Sequence, residues 1–282
     1  MIFYLFLILS AGLTGGTFLL YPSLSPVLVL LLFPAFYLAL TLLFVSVLWV
    51  ISLFLPREEP EKHRPFPART VYATVDFICH LCGFRVRVEG KEKIPPEPCV
   101  FIANHVSVFD PMLMMYGIRR KKWLFISKAE NFRIPIAGRF LRRARFLSLE
   151  RNNPLNGLRT VRKAGKLVKE GYDMGIFPEG TRNRNPENRG SLLPFKQGAG
   201  YAAVTGDCPL VIVALLGMNR VKPPYVCIPK TVTLRVLDTV RAETVREWGT
   251  EKLTAYAETL LAEEVRKSYP SSAKEPSHET VG

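Results

Sequence analysis

The first 56 residues contain no Asp, Glu, Lys, Arg or His, and Arg57 is the first charged side chain. So long a charge-free start does not fold as part of a soluble domain, whereas a bilayer supplies the apolar solvent it needs. Two apolar runs, residues 1–20 and 27–55, flank Tyr21-Pro22-Ser23-Leu24-Ser25-Pro26, whose prolines and serines read as a tight turn. About 20 apolar residues cross the hydrocarbon core as a helix, so each run is long enough. The second has length to spare for a tilt or a kink at Pro34. The expectation for residues 1–56 is a transmembrane helical hairpin. A re-entrant hairpin is the alternative, because the turn has no charge to hold it on the far side. A cleaved signal peptide fits less well, since residues 1–20 lack a basic start.

All the charge therefore falls on the rest of the 282-residue chain, where 38 Lys and Arg outnumber 24 Asp and Glu. Arg57, Lys62, Arg64 and Arg69 follow the hairpin at once, and the positive-inside rule then places residues 57–282 in the cytosol. Five scattered cysteines fit a reducing compartment. Cys79 and Cys82 have C-x-x-C spacing without a second pair, so they read as inert thiols, and no metal is expected. A proline-rich stretch at 57–69 reads as a juxtamembrane linker and 70–268 as the catalytic-sized domain. The polar tail 269–282 is expected to be disordered.

Within 70–268, apolar or alternating runs predict strands at 84–89, 99–103, 123–127, 146–149, 174–177, 210–216 and 231–237. Helical patterns fall at 70–82, 111–118, 134–143, 155–170, 197–205 and 243–267. This alternation predicts an α/β domain with a central mixed sheet flanked by helices. There is no internal repeat.

Two clusters carry candidate chemistry. Asn104-His105-Val106-Ser107-Val108-Phe109-Asp110-Pro111 leaves a strand and enters a helix. Asp110 before Pro111 has the pattern of an N-cap. A loop of this length also lets His105 fold back on the carboxylate, which would fix its tautomer and free the other nitrogen to take a proton. Phe177-Pro178-Glu179-Gly180-Thr181-Arg182 follows an apolar strand, at the strand end where α/β sheets place ligands. Gly180 allows close approach, and Arg182 offers a fork of donors suited to phosphate. An ordinary turn with a solvated Glu and Arg is the plainer reading.

Between residues 119 and 151 there are eleven basic side chains and two acidic ones, Glu130 and Glu150. No nucleic-acid module is present, and with a membrane hairpin attached, anionic lipid is the nearer partner. In 134–146 arginines interleave with Phe and Leu, as on a helix lying at a bilayer surface.

Together these blocks resemble the glycerolipid acyltransferase family, specifically its 1-acylglycerol-3-phosphate (lysophosphatidic acid) acyltransferases. The resemblance runs from about residue 75 to 240. It rests on Asn104-His105-x-x-x-x-Asp110, on Lys128-Ala129-Glu130-Asn131-Phe132-Arg133-Ile134-Pro135-Ile136-Ala137-Gly138 running on to Glu150-Arg151, on Phe177 to Arg182, and on Leu210 to Leu215. Pro194-Phe195-Lys196-Gln197-Gly198-Ala199 also looks like the family. The resemblance implies transfer of a fatty acyl group from acyl-CoA or acyl carrier protein to a lysophospholipid hydroxyl, with no cofactor beyond that thioester. It implies His105 as general base and Asp110 as its orienting carboxylate. Glu179, Gly180 and Thr181 would shape the acceptor site, and Arg182, Arg151 and Lys128 would hold the phosphate. Three positions depart from the pattern: Arg145 stands where the family has Gly, Glu150 where it has Asp, and Ile212 where it has Pro. Other lysolipids as acceptors, a silent lipid-binding protein, and a serine hydrolase using Ser107 or Ser191 are the competing readings. The last lacks a G-x-S-x-G elbow.

Overall fold

The computed structural model describes residues 1–62, 64–150, 154–183, 190–218 and 229–269. In chain order, helices α1 (Ile2–Leu20), α2 (Pro26–Phe54) and α3 (Pro65–Leu81) precede strands β1 (Phe84–Glu89) and β2 (Val100–Ala103). Then come α4 (Asp110–Ile118), β3 (Trp123–Lys128), α5 (Ala137–Arg143), β4 (Leu147–Leu149) and α6 (Pro154–Lys169). The last five are β5 (Asp173–Ile176), α7 (Gly198–Gly206), β6 (Leu210–Leu216), β7 (Lys230–Val240) and α8 (Ala242–Ser268). The chain divides into two compact units. One comprises Met1–Phe84, Ser127–Glu150 and Val226–Pro229; the other comprises Arg85–Ile126, Arg151–Tyr225 and Lys230–Gly282.

In the first unit, α1 and α2 pack against each other and are long and apolar enough to cross a membrane. Ser25 caps α2 by accepting the Leu28 N–H at 3.3 Å, and Pro26 supplies the preset first helical position. The hydroxyls of Ser10, Thr14, Thr17, Thr41 and Ser52 each donate to a carbonyl three or four residues back. Hydroxyls bonded within their own helix are not desolvated bare in an apolar surrounding. α3 joins the hairpin through Phe77, whose ring lies 5.8 Å from Phe6 and 5.7 Å from Phe44.

Two expectations need correction here. The linker reading of 57–69 runs too far, because α3 begins at Pro65 rather than at residue 70. Prolines that look like linker punctuation sit instead in the first helical turn, where no N–H is needed. The helix expected over 134–143 is also interrupted. A 3₁₀ turn covers Ala129–Arg133, and α5 starts only at Ala137, after Pro135 and after Ile136 at φ 65°. A side chain on Gly138 would fall 2.2 Å from the Phe132 carbonyl oxygen, so this turn closes only over a glycine. Nor is the segment a free amphipathic surface, since Phe140 is buried against Phe66 of α3.

The second unit is the expected α/β domain with a mixed sheet. Its strands hydrogen-bond in the order β1-β7-β6-β2-β5-β3. β2 runs parallel to β5 and β6, and β5 parallel to β3, while β7 is antiparallel to β6. β2, β5 and β6 are buried at every residue, which is why they read as unbroken apolar runs rather than alternating ones. Helix α7 packs on β2, α8 on β6 and β7, and α6 on α7. Since β2 and β5 are parallel neighbours, the segments after Ala103 and after Ile176 emerge at one sheet edge. The described cysteines, Cys79, Cys82, Cys99 and Cys208, are buried thiols outside any disulfide, and burial pushes the Cys208 thiol up to about 12.

Room for the aromatic core comes from Gly175. It lies in register with Phe125, and a side chain there would stand 2.0 Å from Phe125 Cε1. Trp123 stacks on Phe125 at 5.2 Å and contacts Phe101 at 4.6 Å, so the ring has nowhere to retreat. Gly175→Ala should therefore destabilise the protein by roughly 1–3 kcal/mol through overpacking. Chemical denaturation of wild type and variant checks this, and an unchanged midpoint would contradict the packing described.

Candidate active site

The site starts where β2 ends. Asn104 is buried, and its amide spans one peptide of β6: Oδ1 accepts the Leu215 N–H at 2.7 Å and Nδ2 donates to the Leu215 carbonyl at 3.0 Å. This fastens the strand end, so the next residue, His105, leaves the sheet from a fixed point. The loop then closes on Asp110, whose side chain is fully buried. One oxygen, Oδ2, receives three donors: His105 Nδ1 at 2.8 Å, Val106 N–H at 2.7 Å and Ser107 N–H at 2.8 Å. Asp110 is thus not the N-cap that the Asp-Pro pattern suggests. Phe109 holds that position, and Asp110 is the first helical residue, with its carboxylate turned back over the loop.

Two backbone donors already aimed at Oδ2 make this oxygen an acceptor, which assigns the shared proton to His105 Nδ1. The free nitrogen, Nε2, is then the proton acceptor. The imidazole is about one-fifth exposed, with a side-chain relative accessibility of 18%. It lies on the Phe177 ring at 4.3 Å and 21°, and Phe177 in turn lies on Phe125 at 6.0 Å and 15°. The stack rises from the core position opposite Gly175 to the imidazole.

The second cluster folds onto the first. Glu179 is 4% exposed, so it is not the solvated turn residue of the plainer reading. Its Oε1 accepts the His105 N–H at 2.7 Å and its Oε2 accepts the Leu193 N–H at 3.0 Å. The His105 carbonyl accepts from Asn183 N–H at 2.8 Å, so both peptide groups of the histidine are held by the 177–183 turn. Burial pushes the Glu179 carboxyl above the usual range, and its two amide donors pull the other way. Gly180 sits at φ 66°, a left-handed conformation that suits glycine. Thr181 is exposed and Arg182 half-buried on the same turn.

His105, Asp110, Glu179 and Gly180 are therefore brought together, with Thr181 and Arg182 following on the same loop. Lys128 belongs to the first unit, and Arg151 lies outside the described residues. Ser107 Oγ accepts the Phe109 N–H at 3.2 Å, the arrangement of a turn-forming serine. No group of three His, Cys, Asp or Glu able to hold a metal occurs among the described residues. Sequence reasoning assigned no part to Asn104, Phe177 or the Leu193 amide. Asn104 and Phe177 were visible as strand-end residues beside the motifs, whereas the Leu193 amide leaves no side-chain signature.

Residues 85–216 match a family model described as Acyltransferase. A chloroplastic 1-acyl-sn-glycerol-3-phosphate acyltransferase from Brassica napus is 32% identical over 143 residues, which cover 50% of this chain and 40% of that protein. The alpha form of 1-acyl-sn-glycerol-3-phosphate acyltransferase from Mus musculus is 29% identical over 208 residues, 72% of this chain and 68% of its own. This chain thus spans less than half the length of the Brassica relative. The crystal structure of the 1-acyl-sn-glycerophosphate acyltransferase PlsC from Thermotoga maritima has a similar fold. It aligns with a TM-score of 0.58 at 24% identity, over 80% of this chain and 88% of that one.

Asp110→Asn tests the proton assignment. The amide oxygen can still accept the Val106 and Ser107 N–H groups, so the loop keeps its shape, but the charge that stabilises a protonated imidazole is gone. Turnover should fall by roughly 10²- to 10⁴-fold with the circular-dichroism spectrum unchanged. Retained turnover in a folded variant would remove Asp110 from the mechanism.

Proposed function

We propose that this chain, whose residues 85–216 match the Acyltransferase family model, moves a fatty acyl group from a thioester to the sn-2 hydroxyl of 1-acylglycerol-3-phosphate, giving phosphatidic acid. One observation carries this reading: the 2.8 Å bond from His105 Nδ1 to an Asp110 oxygen already saturated by backbone donors. A histidine held in that tautomer presents Nε2 to a substrate hydroxyl, and no nucleophilic side chain is paired with it among the described residues.

In the proposed reaction, Nε2 takes the hydroxyl proton as the acceptor oxygen attacks the thioester carbonyl. A C–O bond forms, the C–S bond breaks, and the imidazolium returns the proton to the departing thiolate. Asp110 stabilises the cation while it lasts. The donor is acyl-CoA or acyl carrier protein. Arg182 supplies positive charge for the acceptor's phosphate.

The apolar hairpin α1–α2 anchors the protein in the membrane, with the acyltransferase unit on the cytoplasmic face and anionic lipids as neighbours. The charge-free segment followed at once by basic residues supports this orientation. A Ser23→Cys variant, with wild type as background control, should react with an impermeant maleimide added outside intact cells. Labelling only after permeabilisation would favour a re-entrant hairpin over a spanning one.

The reaction is tested by mixing purified protein with a thioester and a panel of lysolipids and weighing the products. Phosphatidic acid should form from 1-acylglycerol-3-phosphate, and His105→Ala should lose about 10²- to 10⁴-fold in rate. Intact-protein mass after rapid mixing with thioester alone should show no adduct. An acyl adduct that disappears in Ser107→Ala would replace direct transfer by a covalent route.

A further inference from the structure

Lys196 has no part in the site as described so far, yet it is built onto the same turn as His105. Its N–H donates to the Pro178 carbonyl at 2.9 Å, which ties the 194–197 segment to the turn that carries Glu179 and Gly180. Its side chain then runs across Gly180. A methyl group on Gly180 would stand 3.2 Å from Lys196 Cε, 3.2 Å from Nζ and 3.3 Å from Cδ. The bare glycine backbone is the floor on which the lysine stem lies.

The charge at the end of that stem is not compensated. Lys196 is exposed and makes no ion pair among the described residues. The carboxylates of this region are engaged elsewhere, Glu179 by the His105 and Leu193 amides, Asp110 by the His105 loop, and Glu258 by the Phe195 N–H at 3.3 Å. An ammonium without a carboxylate partner, held over the glycine that follows the clamp on the general base, attracts an anion.

We infer that Lys196 is a phosphate-gripping residue of the acceptor site, a point charge over Gly180 that completes the grip begun by the Arg182 fork. This rests on the acyl-transfer reading above and deepens it by adding a specificity residue for a phosphomonoester head group. A phosphomonoester carries close to two negative charges at neutral pH, more than one guanidinium balances. Lysine suits this place because it binds phosphate as a movable point charge, while arginine supplies fixed geometry.

The test compares full-length wild type, Lys196→Met and Lys196→Arg in detergent, titrating 1-acylglycerol-3-phosphate at saturating thioester and the thioester at saturating acceptor. Methionine keeps a flexible stem over Gly180 and removes only the charge. Lys196→Met should raise the acceptor KM roughly 10- to 100-fold, as expected for a lost charge-assisted contact. Its thioester KM should stay within about twofold, and Lys196→Arg should restore most of the acceptor affinity. Inhibition by glycerol 3-phosphate should weaken in Lys196→Met in parallel. An unchanged acceptor KM, a rise confined to the thioester KM, or an equal loss in both variants would each overturn the inference. Wild type that acylates neutral lysolipids but not 1-acylglycerol-3-phosphate would instead overturn the acyl-acceptor reading on which it rests.

Discussion

The geometry of the candidate site depends on a carboxylate that has been taken out of water. Asp110 is fully buried, and an ionised carboxylate at such a site is unfavourable unless donors replace its hydration. Three N–H groups converge on its Oδ2, and its place in the first turn of α4 adds the positive end of the helix dipole. Its other oxygen is buried with no partner among the described residues, so the charge stays concentrated on the side that faces the histidine. The loop is held by that same set of bonds. A five-residue step from His105 to Asp110 is just long enough for the backbone to turn and offer two amides to the oxygen that also receives the ring.

Glu179 does for the backbone of His105 what Asp110 does for its ring. It is a second buried carboxylate, again with amide donors in place of water, and its two oxygens join the His105 and Leu193 segments. Below the imidazole lies the apolar column Phe177–Phe125, whose width is set by the absent side chain of Gly175. The His105 imidazole is thus fixed from three directions, through Asp110, through Glu179 and through the aromatic stack. Such over-determination keeps the imidazole in one rotamer at a position that is still partly exposed.

The legible parts of the fold were those encoded locally. β6 spans the residues its apolar run indicates, 210–216, because a strand buried on both faces has no other composition. His105, Asp110 and the 177–182 block were also readable, since they cluster by type at strand ends. Long-range engagement was not. The Asp-Pro signal at 110–111 specifies a helix start correctly but leaves the carboxylate's partner open. Only the folded loop shows that it turns away from the capping position. Glu179 looks solvated in sequence because its partners are backbone amides 74 and 14 residues away. Arg145 illustrates the opposite case, a departure that sequence flags and structure explains. It stands where the resemblance leads one to expect glycine and adopts φ 71°, a conformation that costs a non-glycine residue roughly 1–2 kcal/mol.

The basic density between residues 119 and 151 is also divided by structure into different tasks. Arg120 is committed to the second unit, where it pairs with Asp173 at 2.9 Å and caps the Pro95 and Glu97 carbonyls. Within the first unit, Arg139 Nη1 donates to the carbonyls of Ser52, Leu53 and Leu55, and Arg143 donates to that of Glu58. The last carbonyls of any helix lack partners, and α2 ends without a basic residue in its own last turn. At a membrane boundary those groups need donors, and the negative end of the helix dipole favours a cation beside it. Arg139 meets both needs from a segment 84 to 87 residues away in sequence. Charge that composition alone assigns to anionic lipid is therefore spent in part on terminating the hairpin's longer helix. This ties residues 127–150 to the first 84 as one folded unit.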